Sequence, residues 1–339
     1  MAVVAGESLA SCSSGSGDDT SPSPASGSTP TGAPPATGIS LGDGASSPSP
    51  FITPVDDFFI IDTTYSAPTV DATTWTLTVR GMVDAETTFT LADLERFEFI
   101  ERTITIGCVS NDVGGGLVGN AVWGGVRLKD VLEQVGVQDG AEQVFSSSVD
   151  GWTCGFPLAV AMDGRDCLIA TTMNGEPLTP EHGHPARLIV PGLYGYVSAT
   201  KWVESIELNR WSDASGYWVP LGWSRDAPVK TSSRIDVPRE GETLTAGPNT
   251  LAGVAWAPHT GISAVEVRID DDDDWQSATL GDEDIDDAWR TWTFEWDATP
   301  GDHSVEVRTI DKSGYTQTDE RADVMPDGAT GLHRVRFDA

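Results

Sequence analysis

Thr103-Ile-Thr-Ile-Gly-Cys-Val-Ser-Asn-Asp-Val-Gly-Gly-Gly116 alternates polar and apolar β-branched residues up to Gly107 and then breaks into a glycine-rich loop. A rigid strand therefore hands the Cys108 thiol to a backbone that can bend around a ligand. A thiolate at such a junction suits a soft metal. On this pattern alone, a Cys at a strand end is more often a small buried hydrophobe, and residues downstream tip the balance.

Those residues are His182-Gly-His-Pro-Ala-Arg187-Leu-Ile-Val-Pro-Gly-Leu-Tyr-Gly-Tyr-Val-Ser198-Ala-Thr-Lys201-Trp202. Arg187 opens an apolar strand, where a guanidinium is costly to bury unpaired, so an anion such as phosphate gives it a reason to be there. Ser198 and Lys201 follow Gly195 in a loop whose amides can form an anion-binding nest. His182 and His184 flank Gly183 on a loop, away from any apolar face.

The Cys108 loop, the Met173-Asn-Gly-Glu-Pro-Leu178 turn, the His182-to-Lys201 segment and a C-terminal all-β module follow one another in an order that resembles the sulfite oxidase family of molybdopterin enzymes, over roughly residues 56–339. The resemblance implies an α+β molybdopterin-binding domain followed by an all-β immunoglobulin-like sandwich. It makes Cys108 the direct ligand of molybdenum and assigns Phe58, Asp150, His182, Arg187, Ser198 and Lys201 to the cofactor. One extra residue before Lys201 leaves Ser198 and Ala199 both open for the serine's place, and His184 is read as a local structural residue.

Substrate-side positions are fewer. By resemblance Tyr217 is catalytic, and Arg290 is an arginine that the second domain lends to the active site; its alternative is a cross-strand partner on an acidic sheet. The arginines that the animal and plant enzymes carry after the metal Cys and near the first strand have no counterpart in Val109-Ser-Asn-Asp-Val113 or Phe58-Phe-Ile-Ile-Asp62. The expected reaction is thus oxygen-atom transfer to or from a small sulfur oxo-compound, with a sulfoxide reductase as alternative and a cofactor-free binding or surface protein on the same fold as the rival of another class. No Cys-x-x-Cys-His haem motif and no dinucleotide fingerprint occur, so electrons are expected to pass to an external carrier, a cytochrome or similar.

Composition agrees with a folded enzyme: 339 residues with 39% hydrophobic side chains and 12 Trp suffice for two ordinary domains. The formal charge of −32, from 52 acidic and 20 basic residues, makes nucleic acid a poor partner. Only Lys129, Lys201, Lys230 and Lys312 are lysines. Dense acidity with scarce Lys reads as a halophile's surface, where repulsion is screened within ~3 Å at molar salt. A Lys kept inside a glycine-rich anion-binding segment then stands out as functional.

Of four cysteines, Cys12 in Leu9-Ala-Ser-Cys12 resembles a lipobox, although only 11 residues precede it and they lack a basic start. Residues 1–50 read as a Ser/Pro/Gly-rich tether, and an extracytoplasmic, lipid-anchored protein that is otherwise soluble is expected. Cys154 and Cys167 are either buried thiols or a disulfide pair. Residues 51–230 form the α+β catalytic domain, with a strand at 74–80, helices at 90–96 and 126–135, and strands at 144–149 and 187–190. Residues 231–339 carry regularly spaced alternating strands at 251–256, 262–269, 289–296 and 303–310, which make a β-sandwich of the kind the family uses for dimerisation, so a homodimer is expected.

Overall fold

Alternation sets the first sheet. In Thr76–Gly81 the Leu77 and Val79 side chains are fully buried while Thr76 and Thr78, which alternate with them, face outward. This strand pairs in parallel with Val203–Asn209 and antiparallel with Thr87–Thr90. Gln143–Ser148 and Thr153–Pro157 complete the five strands on the other side. The computed structural model describes residues 46–270, 272 and 274–339. The tether and Cys12 fall outside the described residues except for its last five positions.

Two helices sit where capping and periodicity put them. Leu91–Leu94 opens on a reciprocal bond pair between Thr90 and Asp93. Leu128–Val135 buries Leu128, Val131, Leu132 and Val135 on one stripe and stops at Gly136. It starts two residues later than expected from Val126, because Val126 and Arg127 finish the strand Val118–Arg127, opposite Phe99 and next to Leu168 and Ile169.

That ten-residue strand is the central member of the second sheet, between Phe99–Gly107 and Leu168–Met173, and its glycines mask it in the sequence. They are there for close approach. A Cβ on Gly119 would lie 2.6 Å from the Phe58 ring, and one on Gly125 would lie 2.1 Å from the Ile169 carbonyl oxygen. Asn174 and Gly175, both at positive φ, turn the chain tightly into Glu176–Pro177, and Arg187–Ile189 closes the sheet on Leu168–Met173.

The second half is all β. One sheet holds Ser232–Val237, Gly247–Trp256, Arg290–Ala298 and Thr279–Leu280; the other holds Gln276–Ser277, Ile262–Ile269, Asp302–Asp311 and His333–Asp338. Inward residues of both, among them Leu251, Val265, Trp292, Val305 and Phe337, make one core. The two halves are joined by polar contacts at the strand that carries Cys108. Thr105 donates its amide to the Asp287 carbonyl (2.9 Å) and accepts the Trp289 amide on its hydroxyl (2.6 Å). Residues 46–53 run across the same junction. Ser46 bonds the Glu242 carboxylate on one side, while Thr53 donates to the Asn120 carbonyl on the other. No helix among the described residues is long and apolar enough to cross a membrane.

Candidate active site

The strand Phe99–Gly107 delivers Cys108, half-buried, into the wall of a cavity of about 140 Å³ that Phe58, Asp150, Arg187 and Lys201 also line. The loop after it closes on itself. Cys108 donates its amide to the Leu117 carbonyl (2.9 Å), and the Asn111 side chain accepts the Leu117 amide (2.7 Å). The thiol is thereby presented on a fixed backbone rather than a floppy one.

Arg187 begins the buried strand Arg187–Ile189 and is 3% exposed. Its guanidinium donates to the carbonyls of His182 (3.2 Å) and Ala199 (3.5 Å) and lies 5.0 Å from the Trp123 ring centre, while Nε is buried with no partner. Burial pulls its pKa down to about 10. Lys201 is nearly as enclosed. Its ammonium meets the Asp62 carboxylate at 2.9 Å and the Glu181 carbonyl at 2.6 Å, and burial, partly offset by Asp62, lowers it to about 8.

His182 sits behind this corner. It is 3% exposed, packs edge-on against Phe58 at 5.8 Å and donates Nε2–H to the Val55 carbonyl at 3.0 Å, which leaves Nδ1 a buried acceptor without a partner. Desolvation, with the charges of Arg187 and Lys201 adding to it, holds the ring below the ordinary histidine range and hence neutral. Arg187 and Lys201 are the cations among the described lining residues, and Asp62 and Asp150 the carboxylates. Asp62 is taken up by Lys201, so the buried Arg187 guanidinium is the cation left to carbonyl acceptors alone.

Other expected site residues stand elsewhere. Ser198 is buried and spends its hydroxyl on the Tyr194 carbonyl (2.9 Å), one turn back in its own helix, and it is the neighbouring Ala199 that lines the cavity. Tyr217 is 46% exposed and outside the lining; its neighbour Trp218 is inside it. Arg290 requires a correction. Its guanidinium donates to the carbonyls of Gly281 and Ile262 and faces Asp284 at 3.4 Å, all within the sandwich, so it contributes nothing to the cavity. An acidic sheet face captured it. Arg234 is likewise spent, on Asp236, Ser49 and Gly115, and Lys230 on Asp327 and Gly328.

Sequence reasoning missed much of the wall, including Asp62, Ser148, Tyr196, Trp218 and Trp223. Asp62 had a signal, an acid ending an apolar run, but the tryptophans carry none that separates a pocket wall from a core. Cys154 and Cys167 are separate buried thiols. Cys154 contacts the hydroxyls of Ser146 and Thr200, Cys167 faces the Val160 carbonyl, and burial raises both.

Comparison with known proteins gives this geometry a family. Residues 64–218 match the model of the oxidoreductase molybdopterin binding domain. The uncharacterized oxidoreductase YuiH of Bacillus subtilis is 37% identical over 153 residues, 45% of this chain and 74% of that protein. Human mitochondrial sulfite oxidase is 29% identical over 323 residues, 81% of this chain and 58% of that protein. The chain belongs to the sulfite oxidase family of molybdopterin-binding oxidoreductases.

It spans 58% of the length of the human sulfite oxidase it matches. The family fold extends over both halves: the crystal structure of the sulfane dehydrogenase SoxCD from Paracoccus pantotrophus superposes with a TM-score of 0.72 at 23% identity, covering 90% of each chain. The residues present fit a phosphate-bearing molybdopterin. The buried Nε of Arg187 and the buried hydroxyl of Ser148, both on lining residues, have no partner within the protein, and an anion with several acceptor oxygens would supply the first.

Proposed function

We infer that the protein is a molybdenum enzyme that moves an oxygen atom to or from the sulfur of a small sulfur oxo-compound and exchanges electrons with an external carrier. The observation that carries this reading is the shared cavity: one thiol, Cys108, and a buried cationic corner, Arg187 with Lys201, face the same space. When bound, the cofactor supplies a metal that changes oxidation state by two electrons, as oxygen-atom transfer requires. Arg187 and Lys201 would hold the anionic end of that group, Asp62 keeps the Lys201 ammonium aimed, and Cys108 would give the metal a soft protein ligand. Phe58, Trp152, Tyr196, Trp218 and Trp223 exclude water from the reacting end.

A sulfoxide reductase is the second reading, favoured by one observation. The cations among the described lining residues, Arg187 and Lys201, both belong to the cofactor corner, and the wall made by Tyr196, Trp218 and Trp223 offers no fixed charge for an oxyanion. Steady-state assays of the native holoenzyme with sulfite and an oxidising dye, and with a panel of small sulfoxides and a reducing dye, separate the two. Turnover of sulfite supports the first and turnover of sulfoxides the second, while inactivity toward both together with a metal-free protein from molybdate-replete cells would favour a binding protein on the same fold.

The halophilic, lipid-anchored and dimeric character belongs to the same proposal. The charge of −32 supports the first, the sequence around Cys12 the second, and the all-β second half, of the kind the family uses for dimerisation, the third. Raising salt from ~0.1 to ~2 M should lift the melting temperature by several degrees as surface repulsion is screened, and a flat profile would remove the halophilic reading.

A further inference from the structure

The Cys108 loop is held at both ends by the second domain. Upstream, Thr105, three residues before the thiol, is fixed by main-chain atoms of Asp287 and Trp289. Downstream, the carbonyl of Gly115 accepts a hydrogen bond from Arg234 Nη1 at 3.0 Å. Beside it, Gly114 rests on the His333 imidazole so closely that a Cβ there would lie 2.3 Å from both Cδ2 and Nε2, on a backbone with φ of +80°. Neither holding residue is free to drift. Arg234 is 12% exposed in its side chain and is braced by Asp236 (2.6 Å) and Ser49 (2.8 Å). His333 Nδ1 accepts the Ile235 amide at 2.9 Å, which requires that nitrogen to be unprotonated, and burial with the nearby Arg234 charge pushes the ring down to about 4.

This arrangement has a mechanical meaning. Between the two anchors the loop is tied by the Asn111 amide to the Cys108 carbonyl (3.1 Å) and by the Gly115 amide to the Asp112 carbonyl (2.8 Å). Just beyond Gly115 the Leu117 carbonyl accepts the Cys108 amide, so a shift at Gly114 or Gly115 is passed to the thiol through a short, bonded loop. We propose that Arg234 and His333 are positioning residues for Cys108: from the second domain they fix the far end of its loop and so set the direction from which the thiolate meets the metal. The proposal rests on Cys108 being that ligand. Neither side chain lines the cavity, so each acts through the loop rather than on substrate.

The test uses the holoenzyme and the paramagnetic resonance signal of its molybdenum in the +5 state, whose g-values respond to the orientation of a bound thiolate. Gly114→Ala should shift the g-values and lower kcat on the order of tenfold with KM nearly unchanged, and adding His333→Ala, which empties the space the new methyl needs, should recover part of both, the strain of a side chain at φ +80° remaining. Arg234→Met should give a shift of the same kind, and Arg234→Lys, which keeps a donor, a smaller one. Loss of bound molybdenum from a folded Arg234→Met protein would also support positioning. Parental g-values and kcat in both Gly114→Ala and Arg234→Met would overturn the proposal, and so would a variant that merely melts earlier with its signal intact. If Gly114→Ala does not fold, Arg234→Met decides alone. Cys108→Ser run in parallel keeps the two claims apart: an unchanged signal there would remove Cys108 as ligand, whereas a changed signal there with no effect of Arg234→Met would remove only the positioning role.

Discussion

Around Arg187 and Lys201 the cavity holds two buried cations, of which Lys201 is ion-paired to Asp62 and Arg187 bonds only carbonyls, whereas the wall of Tyr196, Trp218 and Trp223 carries no formal charge at all. The first region is unfavourable on its own, since a guanidinium whose acceptors are two carbonyl oxygens is incompletely repaid for leaving water. The second is comfortable: it buries apolar surface and asks for nothing. On the proposed reading a tightly held anion would complete the first region, so the charged corner would grip the cofactor and the aromatic wall would admit a smaller, exchanging molecule.

Breaking the charged region should have the largest effect. Arg187→Ala should weaken the hold on the anionic cofactor by about 2–5 kcal/mol, seen as loss of molybdenum and pterin from purified protein. The cofactor-free variant should melt no earlier than the cofactor-free parent, because an uncompensated buried charge has gone. An early-melting variant that still binds cofactor would reverse the assignment. Trp223→Ala, on the aromatic side, should do the opposite: full cofactor content with KM raised about tenfold, or about 1.4 kcal/mol, for whichever sulfur compound proves to be the substrate. Lost cofactor with unchanged KM would erase the distinction between the two regions.

The pH dependence of Lys201 sharpens the comparison further. Its folded pKa of about 8 lies below the ordinary lysine value, so between the two the unfolded chain holds a proton that the folded chain has given up. Stability of the cofactor-free protein from this group should therefore rise with pH over that window, on the order of 1 kcal/mol, and the gain should vanish in Lys201→Met. Affinity for the anionic cofactor should run the other way and fall as pH climbs through about 8. The smallest effect on the site belongs to Arg290→Met: KM and metal content unchanged, and stability lowered by about 1 kcal/mol, since the ion pair with Asp284, 48% exposed, is worth little but the bonds to the Gly281 and Ile262 carbonyls are lost. A raised KM would place Arg290 at the substrate after all.

How much of this was legible in the sequence depends on what each residue has to do. That Arg187 and Lys201 would line one cavity could be anticipated because a charged side chain in an apolar or glycine-rich stretch has few structural excuses, whereas Cys108 stood out only through the resemblance of the segments around it. The strand Val118–Arg127 could not be read, because glycines that admit Phe58 and the Ile169 carbonyl look in sequence like turns. Which way Ser198 and Arg290 turn stays open in the sequence for a related reason: a hydroxyl can always turn to its own helix, and an arginine on an acidic sheet can always find a carboxylate, and neither choice leaves a local trace. Arg234 and His333 lie far from Cys108 in the chain, and only the pairing of the two halves brings them to its loop.

The central claim is that Cys108 ligates molybdenum within this cavity, and X-ray absorption at the molybdenum edge of the holoenzyme tests it most directly. In Cys108→Ser the number of sulfur atoms bound to the metal should fall by one relative to the parent, and turnover should be abolished, because a hydroxyl is a poor substitute for a thiolate on a soft metal. An unchanged sulfur count in a folded, metal-loaded Cys108→Ser protein would contradict it.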